Sequence, residues 1–239
     1  MDASFRTRPG DHVFFRTMAI ASSVAIAGGF LNTYGPKVLH GGTGVQPIVH
    51  LHAAVFVSWL VLFIVQTMLV SQGRVSLHKR IGTASVALAA AMLVLGVETA
   101  IVVTRDGHRG IPGVEFPTPA GFLLLNLGAI VTFAVLFTAA WCFRHNIQAH
   151  KRLMLTAVTG SLVGPGVSRL PIASGNTGVI TVLVLVFLFA GPVYDFVTRR
   201  RVHVAYWWGA ALSLSVAPPA VQAIAATASW QSIAEWLWR

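Results

Sequence analysis

Runs of about twenty mostly apolar residues recur along nearly the whole chain, and each is long enough to cross a hydrocarbon layer about 30 Å thick. A helix of a water-soluble domain needs one wet face, and these segments have no continuous polar stripe to supply it. Composition agrees: 55% of the 239 residues are hydrophobic and 10% charged, against about 25% charged in an ordinary soluble domain. Mean hydropathy is +0.73. The pattern predicts an all-α, polytopic transmembrane helix bundle, one membrane domain over residues 1–239. Spans are expected at roughly 15–35, 49–71, 78–103, 119–142, 150–169, 176–198 and 203–226. Turn residues mark the breaks: Gly35-Pro36, Gly41-Gly42, Ser71-Gln72-Gly73, Asp106-Gly107, Pro117 to Pro119 and Gly175-Asn176. No internal repeat is evident.

A net charge of +10 would suit nucleic acid if it formed a patch. Here it falls in short clusters between apolar runs, which is how a membrane protein is oriented, so the expected partner is membrane lipid. With the N-terminus inside, the inner segments carry Arg6, Arg8, Arg16, Arg74, Lys79, Arg80, Arg144, Lys151, Arg152, Arg199, Arg200 and Arg201. The outer segments carry only Lys37, Arg105, Arg109, Arg169 and Arg239. Seven spans then give an N-in, C-out protein of the inner (plasma) membrane. The first apolar stretch follows basic residues as a signal peptide does, but no small-x-small cleavage site follows it, so it reads as a retained span. The tail 229–239 carries Trp230, Trp236 and Trp238 and reads as an interfacial helix. A lone cysteine, Cys142, leaves no internal disulfide and no thiolate metal site.

Span five contains Gly160, Gly164, Pro165 and Gly166. Such residues either let helices approach closely or break a helix and open space for a ligand, and close packing is the expected use.

Nine histidines accompany only seventeen Lys and Arg and seven Asp and Glu. His78, His150 and His203 open spans three, five and seven, at one depth on the inner side. Asp195 ends span six at that level, and His145 lies in the adjoining loop. Three imidazoles and a carboxylate at one depth suit a metal, a haem iron or a proton relay. The same residues beside Lys79-Arg80 and Lys151-Arg152 also serve as plain interfacial anchors. A second polar group is expected at the outer end. His50 and His52 open span two, and Arg169 closes span five. Glu98 lies twenty residues beyond His78, about 30 Å along a helix. Glu98 is costly inside an apolar run unless paired, and Arg169 or His52 are its expected partners.

Several of these residues carry a resemblance. His50-Leu51-His52, Gln66, Gly73-Arg74-Val75, His78-Lys79-Arg80-Ile81-Gly82, His150-Lys151-Arg152-Leu153-Met154, Arg169-Leu170-Pro171, Tyr194-Asp195 and the Arg-Val-His ending at His203 resemble a widespread bacterial family of small multipass membrane proteins of unknown function. The resemblance covers roughly residues 45–210 and implies no reaction. Ser76-Leu77-His78 with Gly82 is also similar to a span opening in the transmembrane ascorbate-type b cytochromes, where histidines of alternate spans clamp a haem. That likeness implies His78 and His150 as axial ligands of one haem b. Span four, 119–142, contains no histidine, so the partner His52 would need for a second haem is missing.

The leading expectation is a haem-b or metal-binding redox protein, with His78 and His150 as ligands and His203 and Asp195 supporting them. One alternative is a membrane zinc hydrolase using His78, His150, His203 and Asp195, although the His-x-x-x-His pair expected on its last span is absent. Another is a proton-coupled transporter or structural component using His52, Glu98 and Arg169. A retinal Schiff base is disfavoured because Lys37, Lys79 and Lys151 all lie at span ends or in loops. Gly42-Thr43-Gly44 is too short for a phosphate loop, and no nucleotide, Gly-x-Ser-x-Gly or His-Glu-x-x-His motif occurs.

Overall fold

In the computed structural model, which describes residues 5, 7–39, 41, 44–111 and 113–239, the chain is all-α apart from one two-residue-per-strand hairpin. Arg6, Gly42 and Thr43 lie outside the described residues. The helices are α1 (Pro9–Thr33), α2 (Gly35–Leu39), α3 (Pro47–Ser71), α4 (Val75–Arg105), α5 (Pro119–Cys142), α6 (Ile147–Ser161), α7 (Val163–Val167), α8 (Thr177–Arg199), α9 (Val204–Ser215), α10 (Pro218–Ala225) and α11 (Ala228–Leu237). The hairpin, β1 (Gly110–Ile111) with β2 (Val114–Glu115), joins α4 to α5.

Among the described residues, α1, α3, α4, α5 and α8 are each long and apolar enough to cross a membrane. The bent pair α9–α10 makes a sixth if counted as one span. The 44° bend has a local cause: Pro218 and Pro219 follow Ala217, which is held extended at ψ 152°, as a residue before proline prefers. α1 begins at Pro9, earlier than expected, because proline suits the first helical turn and Asp11 accepts from Arg8 N at 3.3 Å.

The expected fifth span divides into α6 and α7 at Leu162. Pro165, lacking an N–H and clashing with the carbonyl four residues before it, accounts for the break. α6 is too short and too polar to pass as a lipid-facing span, and packing explains why. Ten of its fifteen residues are buried, against four of twenty-five on α3. α6 packs on α1, α5, α8 and α9 at once, so protein rather than lipid surrounds it and Gln148, Thr156 and Thr159 are accommodated.

The glycines of this stretch serve close packing. A Cβ on Gly29 would stand 1.8 Å from the carbonyl oxygen of Gly166, and one on Gly166 would stand 2.5 Å from Ile26 Cα. α1 and α7 therefore cross backbone to backbone, as small residues permit in membranes. Gly209 likewise lets α9 approach Thr156 of α6. On the other side, Trp59 of α3 sits edge-on to Phe133 and Phe137 of α5.

α11 differs from a simple lipid anchor. Trp230 Nε1 donates to the Ala120 carbonyl at 2.8 Å and Trp238 Nε1 to Thr104 Oγ1 at 3.3 Å. Only Trp236, 70% exposed, remains for a headgroup region.

Candidate functional site

α6 organises the basic end of the bundle through three consecutive residues. Successive side chains on a helix point about 100° apart, and His150, Lys151 and Arg152 accordingly face three different neighbours.

His150 turns toward α4 and α5. Its Nδ1 donates to the Ala140 carbonyl at 2.8 Å, leaving Nε2 as the nitrogen with a free lone pair in the neutral ring. The ring of His78, at the start of α4, lies 6.3 Å away between centroids and 78° out of plane. His78 Nδ1 is held by Gln66 of α3. With its amide nitrogen toward His78, Gln66 donates to Nδ1 at 2.6 Å and accepts from Gly82 N at 2.9 Å. This amide orientation satisfies both of its ends.

Lys151 turns toward α1 and Arg152 toward α8. Lys151 Nζ donates to Asp11 Oδ2 at 2.6 Å. Arg152 makes a two-pronged contact with Asp195, Nε to Oδ2 at 2.7 Å and Nη2 to Oδ1 at 2.6 Å, with both side chains fully buried. Arg199, one turn beyond Asp195, joins the two halves: Nη2 donates to Asp11 Oδ1 and Oδ2 at 2.6 and 2.7 Å, and Nη1 to Asp195 Oδ1 at 3.3 Å. Tyr194 Oη also donates to Asp11, and the His203 backbone N–H to Asp195. Three cations thus share two carboxylates beneath α1, α6 and α8.

The four residues expected to surround a metal are therefore split by α6. His78 and His150 lie on one side, with Asp195 and His203 on the other. Asp195 spends its oxygens on Arg152, Arg199 and the His203 backbone, while His203 Nδ1 caps α9 by accepting from Ala205 N at 3.2 Å. Among the described residues no group of three or more His, Cys, Asp or Glu is placed to hold a metal ion. What remains is a two-histidine centre. Two imidazole nitrogens on opposite sides of one metal, each at about 2.0–2.1 Å, put the ring centroids roughly 6 Å apart. The spacing of His78 and His150 matches that arrangement. As held, only His150 presents a ring lone pair, because Gln66 donates to His78 Nδ1 and leaves the His78 proton on Nε2; two imidazoles fall short of a four-ligand zinc site, and an iron between them would need His78 in its other tautomer.

At the opposite end Glu98 makes no contact with either of its expected partners among the described residues. His52 stacks on Phe56 at 4.0 Å, and its Nδ1 is buried with no hydrogen-bond partner. Arg169 lies over the Phe30 ring at 4.6 Å and donates from Nη1 to the Pro165 carbonyl at 2.6 Å. Glu98 meets neither. The inward face of α4 there is Met92, Gly96 and Thr99. Glu98 is two positions from Gly96, about 200° around the helix, and it is exposed beside Val94 and Val97. His50 Nδ1 instead shares a hydrogen bond with the Tyr34 hydroxyl.

Asp11 escaped the sequence reading, which ran the first span from residue 15. Its signal was its rarity: it is one of seven acidic residues, at the depth of the basic clusters.

No protein-family model, curated protein or solved structure matches the chain.

Proposed function

We propose that the chain is a membrane redox protein of the inner (plasma) membrane, in which His78 and His150 would hold a b-type haem at the cytoplasmic end. The observation that carries this reading is the pair's geometry: 6.3 Å between centroids and 78° between planes, with His150 Nδ1 donating to the Ala140 carbonyl. Fixing one ring nitrogen orients the other toward a metal. His150 already has its Nε2 lone pair available, whereas His78 would ligate only with the Gln66 amide turned to place its oxygen on a protonated Nδ1, which sets the amide nitrogen against the Gly82 N–H. The iron, when bound, would supply one-electron transfer. The Arg152–Asp195–Arg199–Asp11 network holds α1, α6 and α8 in place behind His150.

The reading includes seven crossings with the N-terminus inside. α6–α7 is the crossing that apolarity alone misses, because it runs inside the bundle. Basic residues concentrated where α1, α4, α6 and α9 begin support this orientation.

A second reading rests on the same pair. With Gln66 donating to His78 Nδ1, the neutral His78 carries its proton on Nε2, while His150 Nε2 carries a lone pair. These are complementary states for passing a proton, as a proton-coupled transporter requires. The zinc-hydrolase alternative needs His203 beside the other two histidines, and α6 stands between them.

The test is an absorption spectrum of the purified full-length protein, oxidised and dithionite-reduced, after expression with haem supplied, together with iron and zinc analysis. A Soret band that shifts on reduction and is lost in His78→Ala and in His150→Ala supports the haem reading. A colourless, iron-free protein whose proton-flux activity in vesicles falls in the same variants replaces it with the proton reading.

A further inference from the structure

Arg200 holds a backbone conformation to which an arginine is poorly suited. It closes α8 at φ 56° and ψ 17°, in the left-handed region, with its N–H donating to the Phe196 carbonyl at 2.8 Å. Among the described residues it is the only one other than glycine with a positive φ. Helices commonly end on a left-handed residue, and glycine is the usual choice because a β-carbon is crowded there. The turn out of α8 therefore needs the backbone of residue 200 and not its side chain. Strained positions of this kind cluster where a side chain has a task.

That task is not inside the protein. Arg199 next to it is buried and spent on Asp11 and Asp195, the carboxylates that also hold Lys151 and Arg152. Arg200 is exposed, and no described residue accepts from its guanidinium. What shares its surface is apolar. Val193, Phe196, Val197 and Arg200 recur at three- and four-residue spacing and so lie on one face of α8, and the three hydrophobic residues are each more than half exposed. α9 opens on a similar face, with Val204, Trp207 and Trp208 all exposed. Exposed tryptophan and aliphatic side chains beside arginine suit the boundary between acyl chains and headgroups, where indole rings collect and a guanidinium meets phosphate. An acidic soluble protein would match the arginine and offer nothing to this apolar face.

We propose that the corner where α8 ends and α9 begins binds an anionic phospholipid, its phosphate on Arg200 and its acyl chains along Val193, Phe196 and Val197. The proposal goes beyond the His78–His150 reading and does not depend on it.

Native mass spectrometry of the full-length protein in detergent, titrated with phosphatidylglycerol or with phosphatidylcholine, tests it. The wild type should hold phosphatidylglycerol more tightly than phosphatidylcholine. Arg200→Gly should weaken phosphatidylglycerol binding about fivefold, the effect of one basic residue at an anionic lipid surface, and leave phosphatidylcholine binding unchanged. Because glycine relieves the left-handed turn, the same variant should unfold at or above the wild-type temperature, which separates lost binding from lost folding. Arg200→Lys, which keeps the charge without the fork, should fall between the two. Arg74→Gln removes another exposed arginine, at the start of α4, which packs chiefly on α3 and α5; it should bind like the wild type. Undiminished phosphatidylglycerol affinity in Arg200→Gly, an equal loss in Arg74→Gln, or no preference for phosphatidylglycerol overturns the proposal.

Discussion

The charge network at the basic end makes an ordered prediction about stability. It contains three cations, Lys151, Arg152 and Arg199, and two anions, Asp11 and Asp195. Removing a cation and removing an anion are therefore unequal perturbations. Asp195→Asn leaves three cations with one carboxylate and takes the two-pronged partner from a fully buried Arg152. Breaking a buried pair this way costs about 3–5 kcal/mol. Arg152→Met leaves two cations and two anions, and Asp195 keeps Arg199 Nη1 and the His203 N–H. Its cost is the loss of charge-assisted hydrogen bonds, about 1.5–3 kcal/mol. Lys151→Met also restores balance, and Asp11 keeps both contacts to Arg199. The Lys151 side chain is 16% exposed, so about 1 kcal/mol is expected, at the upper end for a screened pair. The expected order of destabilisation is Asp195→Asn, then Arg152→Met, then Lys151→Met. Reversible unfolding of the detergent-solubilised protein by titrated sodium dodecyl sulfate, followed by tryptophan fluorescence, would measure it. A double variant, Arg152→Met with Asp195→Asn, should cost less than the sum of its parts by 1 kcal/mol or more, the signature of direct coupling. Equal costs for Lys151→Met and Asp195→Asn would refute the reasoning, because the network would then be behaving as a set of solvated surface charges.

Three further outcomes are expected. Gly166→Ala places a methyl group 2.5 Å from the Ile26 backbone and should destabilise by about 1–3 kcal/mol as α1 and α7 are forced apart, whereas Gly35→Ala, with nothing within 4 Å, should unfold like the wild type. Trp230→Phe and Trp238→Phe each remove an indole hydrogen bond that seats α11; amide exchange over 228–237 should quicken in both and stay unchanged in Trp236→Phe. Cys142, the single cysteine and exposed at the basic end of α5, should react with an impermeant maleimide in inside-out vesicles and resist it in right-side-out ones; the reverse pattern would invert the proposed orientation.

Which contacts form was legible in the sequence to different degrees at the two ends. The sequence put His78 and His150 at one depth, and the structure sets their rings 6.3 Å apart, with Gln66 against His78. The expected pairing of Glu98 failed because hydropathy gives depth along a helix and not rotation about it. Two positions separate Glu98 from the inward-facing Gly96, enough to turn it outward.

Apolar run length determined the long helices α1, α3, α4, α5 and α8, because a backbone in lipid has to satisfy its own hydrogen bonds within each segment. Pro119 and the end at Cys142 fix α5 where the sequence placed it, and Pro218-Pro219 mark a bend that local sterics require. The histidines and charges are equally fixed in their level along the bundle. Only the tertiary structure decided who meets whom. His150, Lys151 and Arg152 are adjacent in sequence, yet α6 lies enclosed among α1, α5, α8 and α9, so the 100° step of the helix sends each to a different neighbour. That enclosure relieved α6 of any need to be apolar, and it separated His203 and Asp195 from the histidine pair.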